Sequence, residues 1–221
     1  MTGALCVNDM QELFPELSPF SLLNYYKAST INDHIIEPRF PTPREIMLLN
    51  ILKSCGTAAS FQLENLWPNK EGRRKLKKLA RQRIIARYKL NGKHKLNVYS
   101  LNPYLDLETA LRQMAFAQLY IKMRLVMPCS ATLGPEPFTG LINLYGKPYP
   151  VLVIRKGDAV SMLPSKLPNV PRLIVVAEEL TKLNLDMDYR ITTDRDLMDK
   201  PLYLAFRLPD GSQEKVVQFA C

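Results

Sequence analysis

The stretch Lys70-Glu71-Gly72-Arg73-Arg74-Lys75-Leu76-Lys77-Lys78-Leu79-Ala80-Arg81-Gln82 sets Leu76, Leu79 and Ala80, continued by Ile84, on one stripe at helical spacing. Arg73, Arg74, Lys77 and Arg81 then project the other way at steps of three or four. The pattern predicts a helix over 70–82 with its leucines toward a core and its cations toward solvent. Glu71 is the only acid among the cations from Lys70 to Arg83. An ordinary solvated helix face usually mixes its signs, so that Glu can pair with Lys along the helix.

Working outward, Thr42-Pro43 reads as an N-cap followed by proline at the first helical position, where its missing N–H costs nothing. Ile46, Leu48, Leu49, Ile51 and Leu52 give that helix an apolar face through Lys53, and Gly56 stops it. A second short helix is expected from Ser60 to Leu66, with Phe61, Leu63, Leu66 and Trp67 as its apolar set and a turn at Pro68-Asn69. On the C-terminal side, two β segments are expected over Ile84 to Leu90 and Lys95 to Leu101. Asn91-Gly92 would supply the positive φ angles of a tight hairpin between them. Three helices followed by a basic hairpin predict a winged helix-turn-helix over residues 42–103.

Residues 1–41 read as an irregular arm. Phe14, Leu17, Phe20, Leu22, Leu23, Tyr25 and Tyr26 are too apolar for a free tail, whereas Pro15 and Pro19 forbid a long helix. One short helix, packed on its own domain or on a partner subunit, is expected there. Beyond Pro103, Leu105 to Val126 forms a long helix beginning near Asp106 and apolar almost all round. Such a helix is normally buried, as the spine of a second domain or as a dimer seam, and the spine is favoured. Strands are expected at Phe138 to Leu144, Val151 to Arg155, Arg172 to Val176, Tyr189 to Thr192, Leu202 to Arg207 and Val216 to Ala220. Helices are expected at Asp158 to Lys166, Glu178 to Leu183 and Asp194 to Met198, with turns at Tyr145-Gly146 and Asp210-Gly211. The fold class is therefore α/β (α+β): an N-terminal winged helix, then a mixed-sheet α/β domain over 104–221.

Charge separates the two halves. Residues 43–103 hold 14 Lys/Arg against three acids, whereas the whole chain is only +9, so everything outside that segment sums to −2. A polyanionic partner follows. On the helix, Arg73 and Arg74 are the expected base readers, since a guanidinium can grip guanine with two hydrogen bonds. Lys77 and Arg81 share that face, and Lys70, Lys75 and Lys78 on its flanks are expected on backbone phosphates. The hairpin adds Arg87, Lys89, Asn91, Lys93, His94 and Lys95 with no acid among them. Except for Tyr88, the basic stretch lacks interleaved aromatic residues, which argues for double-stranded DNA over stacked single strands. The expected partners are duplex DNA and a second copy of the chain, with another protein possible through the second domain.

Other chemistries lose their usual signals. Cys6, Cys55, Cys129 and Cys221 lie far apart, and with two histidines only, His34 and His94, no zinc set assembles. Scattered thiols fit a reducing cytoplasm. The apolar stretch Met114 to Met127 is broken by Lys122 and Arg124, so no membrane span is expected. No phosphate-binding glycine loop, dinucleotide fingerprint or serine-hydrolase elbow is present, and no cofactor is expected.

The order of a basic winged helix, a long helix and an α/β domain, with the segment Pro135 to Lys156 laid on a nuclease hairpin, resembles the replication-relaxation family of plasmids and other mobile elements. That resemblance implies a C-terminal core like that of the PD-(D/E)xK nucleases. Such chemistry needs Asp on one strand and Glu-x-Lys on the next, because clustered carboxylates hold Mg²⁺. Here Thr139 to Leu144 has no acid, and Val153-Ile154-Arg155-Lys156 puts Ile154 at the Glu position. The implied core is degenerate and non-cleaving, and the chain is expected to be a regulator or a replication or transfer factor, not an enzyme. Two alternatives stand: a metal-dependent nuclease with a displaced site using Glu136 or Asp158, and a scaffold binding an acidic protein. The pairs Glu178-Glu179 and Asp194/Asp196 are expected near helix starts, as caps and partners of the helix dipole.

Overall fold

Thr42 Oγ1 accepts from Glu45 N–H at 3.4 Å, and the Glu45 carboxylate returns to Thr42 N–H at 2.7 Å. This reciprocal cap starts α1 (Pro43–Cys55), and Gly56 at φ 79° ends it. A computed structural model describes residues 17–31, 34–37, 39–68, 71–168 and 170–213, and shows a mixed α+β protein with two sheets. After α1 come β2 (Thr57–Ala59), α2 (Ser60–Glu64), α3 (Gly72–Arg81), β3 (Ala86–Asn91) and β4 (Lys95–Ser100). An earlier strand, β1 (Lys27–Thr30), completes an antiparallel sheet in the order β1-β3-β4-β2.

Two of these strands depart from the sequence expectation. Thr57-Ala58-Ala59 has little strand propensity, yet it pairs with β4 and is wholly buried. Residues 17–30 are not merely an arm. Phe20 is fully buried and stacks on Phe61 with ring centroids 6.0 Å apart. The expected short helix is a single 3₁₀ turn at Leu22–Asn24, and β1 follows it onto β3. The segment therefore packs on its own chain. Phe14 and Pro15 lie outside the described residues.

Asp106 caps α4 (Leu107–Arg124) by accepting from Thr109 N–H at 2.9 Å. Leu111, Met114, Phe116, Leu119 and Tyr120 are buried on several sides of this helix, and they belong to one apolar cluster with Leu48, Ile51, Leu63, Leu76, Val151 and Val176. The helix is a spine, as expected, but a spine shared by both sheets. Lys122 and Arg124, which break its apolar run, are accommodated at its C-terminal end. Lys122 Nζ donates to the carbonyls of Leu197 (2.6 Å) and Lys200, and the Arg124 guanidinium lies 5.6 Å from the Tyr120 ring centre. Among the described residues no helix is long and apolar enough to cross a membrane.

The second sheet runs β5 (Cys129–Leu133), β6 (Gly140–Leu144), β7 (Lys147–Ile154), β8 (Leu173–Ala177) and β9 (Tyr189–Thr193), adjacent in that order. The first three form an antiparallel meander, and β7, β8 and β9 are parallel. Val151 and Val153 face the α4 cluster, while Leu152 and Ile154 face a second cluster with Phe138, Leu167 and Val175. A 3₁₀ turn (Val160–Met162) and α5 (Leu163–Lys166) connect β7 to β8 in place of the single helix expected over 158–166. Then α6 (Asp194–Asp199) and α7 (Leu202–Ala205) close the fold. Leu202 to Arg207, expected as a strand, is that short helix followed by a single bridge between Arg207 and Ile191. Helix 178–183 is absent and β5 was not foreseen, whereas strand 216–220 lies outside the described residues.

Asp194 does not cap α6; Thr193 does, accepting from Asp196 N–H at 3.0 Å. Instead the Asp194 carboxylate is fully buried against Arg155, at 2.5 and 3.2 Å, and also accepts from Ser18 Oγ at 2.5 Å. Three distant segments meet there: the N-terminal stretch, the end of β7 and the end of β9. Asp194→Ala leaves a buried guanidinium without its counter-charge, and we expect a loss of about 3–5 kcal/mol, read as a lower urea midpoint. The joint Arg155→Met/Asp194→Leu variant should recover most of that loss.

Candidate functional site

Gly72 lets α3 begin against α2: a Cβ there would run into the Glu64 backbone carbonyl. Leu76 and Leu79 are buried, 0% and 1% exposed, and they fix the rotation of the helix. Arg73, Arg74, Lys77 and Arg81 are consequently exposed, with Lys75 and Lys78 half-buried on the flanks. The site residues expected on this helix thus share an outward surface, apart from Lys70, which lies outside the described residues.

The row is not free of partners. Arg73 Nε lies 3.6 Å from Glu64, brought up by α2, and Arg74 Nη2 lies 3.1 Å from Glu71. Both pairs are open to water and worth little. Arg81 Nε donates to His34 O at 3.2 Å, and Gln82 Nε2 to Glu37 O at 3.0 Å. The end of α3 is thereby tied to the segment leading from β1. Among the described residues no carboxylate of the second sheet pairs with an α3 cation.

The hairpin differs from expectation at its turn. Neither Asn91 nor Gly92 has a positive φ; the loop is Gly92-Lys93-His94, closed by Gly92 N–H donating to His94 O at 3.1 Å. Glycine is required at 92 for another reason. A Cβ would strike the Asn24 carbonyl and approach the Tyr26 ring to 2.9 Å. Lys93 N–H also donates to Asn24 O at 3.2 Å, so the N-terminal segment grips the hairpin tip. Lys89, Asn91, Lys93 and Lys95 are exposed, His94 is half-buried, and Arg87 is partly buried with Nη2 3.4 Å from Asn97 Oδ1. Sequence reasoning missed Lys27, which β1 sets directly beside Asn91. Lys27 to Thr30 are all exposed, so no apolar alternation marked them as a strand.

A second polar region lies between α4 and β7, where a cavity of about 690 Å³ is lined in part by Glu108, Arg112, Glu136, Thr139 and Asp158. Arg112 organises it. Its guanidinium donates to both oxygens of Asp158 (2.7 and 2.6 Å), to Glu108 (2.8 Å) and to Val153 O (2.9 Å). Asp158 accepts further from Arg155 N–H at 2.7 Å. Glu136 is exposed, and among the described residues no group of three or more His, Cys, Asp or Glu is arranged to hold a metal ion. Glu178 and Glu179 cap no helix; they meet Lys156, through its N–H at 3.2 Å and its ammonium at 3.7 Å. Comparisons with protein-family models, curated proteins and solved structures find no match.

Partial burial pushes the Asp158 carboxyl up, but the Arg112 hydrogen bonds, the Arg155 N–H and the two guanidinium charges outweigh it and hold the group below its ordinary 3.8. A depressed acid stabilises the fold above its unfolded-state value and loses that contribution as pH falls through the folded one. Asp158→Asn should therefore cost about 1–3 kcal/mol at pH 7. Melting curves should show the gap between variant and wild type closing as pH drops below 3.8.

Proposed function

We propose that residues 42–103 form a winged helix-turn-helix and that the chain is a sequence-specific double-stranded DNA-binding protein. The observation that carries this reading is the α3 surface: Leu76 and Leu79 point inward and long cations point out along the opposite face. The element order supports it. Helix, strand, two helices and a hairpin follow one another, and the short strand β2 pairs with β4, which leaves α3 ahead of the hairpin. In a helix-turn-helix the recognition helix enters the major groove while neighbouring elements hold the backbone. Here Arg73 and Arg74 stand near the N-terminal end of α3, where base contacts are made, and Lys75, Lys77, Lys78 and Arg81 are placed for phosphates.

The second half is read as a binding module. A helix, a three-strand meander, a short helical crossover and a parallel strand follow the layout that the replication-relaxation resemblance implies for a nuclease-like core. The core's own carboxylate positions hold no acid, and Asp158, which a displaced metal site would need, has both oxygens taken up by the Arg112 guanidinium. That supports a non-cleaving core; the role in transcription regulation, or in replication or transfer of a mobile element, is the one the resemblance implies.

Neutralising about six to eight phosphates gives a log–log salt slope of roughly −5 to −7. Fluorescence anisotropy on duplex fragments flanking the coding region should show it, with Lys77→Ala flattening the slope by about one on every sequence. Arg73→Ala or Arg74→Ala should cost about 1–3 kcal/mol on the preferred site and narrow its margin over unrelated duplexes. Affinity near 10⁻⁴ to 10⁻⁶ M on every fragment would favour the acidic-protein scaffold instead.

A further inference from the structure

β1 changes what the hairpin can present. Its register sets Lys27 opposite Asn91 and Ser29 opposite Lys89, while β3 sets Asn91 opposite Lys95 and Lys89 opposite Asn97. Directly paired residues share a face of a sheet, and residues two apart along a strand stay on it. One face of the three strands therefore carries Lys27, Ser29, Lys89, Asn91, Lys95 and Asn97. The opposite face carries Tyr88, Leu90 and Val98, which are buried in the core. No acid occurs on β1, β3 or β4.

We propose that the N-terminal strand widens the hairpin's outward face into a three-strand phosphate-binding plate for double-stranded DNA, with Lys27 joining the exposed Lys89 and Lys95. The proposal rests on the reading of the chain as a DNA-binding protein and adds a surface to it. Two strand spacings separate Lys27 from Lys95, about 10 Å between α-carbons, and Lys89 stands about 7 Å along from Asn91. Three ammonium groups over that area meet a charged backbone and do not read base edges. None of those six residues is aromatic, so the paired strands themselves offer single strands no stacking platform.

The plate is also held rigid before binding. Asn24 O accepts from Lys93 N–H at 3.2 Å, Tyr26 Oη donates to Pro19 O at 2.9 Å, and Phe20 is stacked on Phe61. A hairpin anchored in this way loses little freedom on contact, which lowers the ordering cost of binding.

The test uses the full chain and a 30-base-pair duplex in anisotropy titrations across a salt series. Lys27→Ala and Lys27→Gln should each flatten the log–log salt slope by about one and weaken binding roughly five-fold near 0.15 M salt. Lys27→Arg should keep the wild-type slope. The triple variant Lys27→Ala/Lys89→Ala/Lys95→Ala should flatten the slope by about three. If Lys27→Ala and Lys27→Gln bind as wild type while Lys77→Ala still weakens binding, the contribution of the N-terminal strand is overturned, whatever the triple variant does, and the helix reading survives. If Lys77→Ala, Arg73→Ala and Arg74→Ala also bind as wild type, both readings fall together.

Discussion

The structure depends on one constraint: α4 is apolar on too many sides to be covered by a single sheet. Ala110, Leu111, Met114, Ala115, Phe116, Ala117, Leu119, Tyr120 and Met123 are all buried, and they leave little of the helix for solvent. The β6 backbone comes so close that any side chain at Gly140 would enter the Phe116 ring. On the other side Gln62 donates to Met114 O at 2.7 Å, and Thr57 Oγ1 donates to Gln113 Oε1 at 2.7 Å. These polar contacts come from β2 and α2, so the basic half, like the second sheet, is fastened to α4. Burial of each large α4 side chain stabilises by about 1.5–3 kcal/mol, and no comparable term acts on the exposed face of α3.

That difference explains the division of labour. Where burial dominates, side chains are chosen by shape; where it is absent, as on α3 and the outward face of β1, β3 and β4, charge decides. A face of unmixed sign repels itself, and the local pairs Arg73–Glu64 and Arg74–Glu71 relieve only part of it. Phosphate contact would relieve the rest. The buried Arg155–Asp194 pair serves the opposite purpose: it is shut from water and joins three segments of the chain.

Much of this was legible in the residues. Thr42-Pro43, Gly56, the Leu76/Leu79 stripe and the helix start near Asp106 each encode a local geometry, and each helix they mark is present. The parallel strands β8 and β9 fall on stretches expected as strands, β8 as a short apolar run. What escaped were elements without a local signal. β1 is exposed at all four positions, β2 is three small residues, and β5 has one buried residue among five. Their partners define them. The turn at Asn91-Gly92 misled because glycine there answers a long-range demand, the approach of Asn24, and not a local φ. Within the candidate site the α3 cations could be named from spacing alone, whereas Lys27 became visible only once its strand had a neighbour. Asp158 and Glu136 are alike in the sequence as candidate acids, but the fold gives Asp158 to Arg112 and leaves Glu136 at the surface.

The central claim is that the cations turned outward by Leu76 and Leu79 are the surface that meets DNA. Amide chemical-shift mapping on ¹⁵N-labelled full-length protein, titrated with duplex DNA at moderate salt, examines it residue by residue. The account predicts that the largest changes fall between Gly72 and Arg81 and along Lys89 to Lys95, with β8 and β9 silent. Changes confined to the second sheet, with the α3 amides unmoved at saturation, would contradict it.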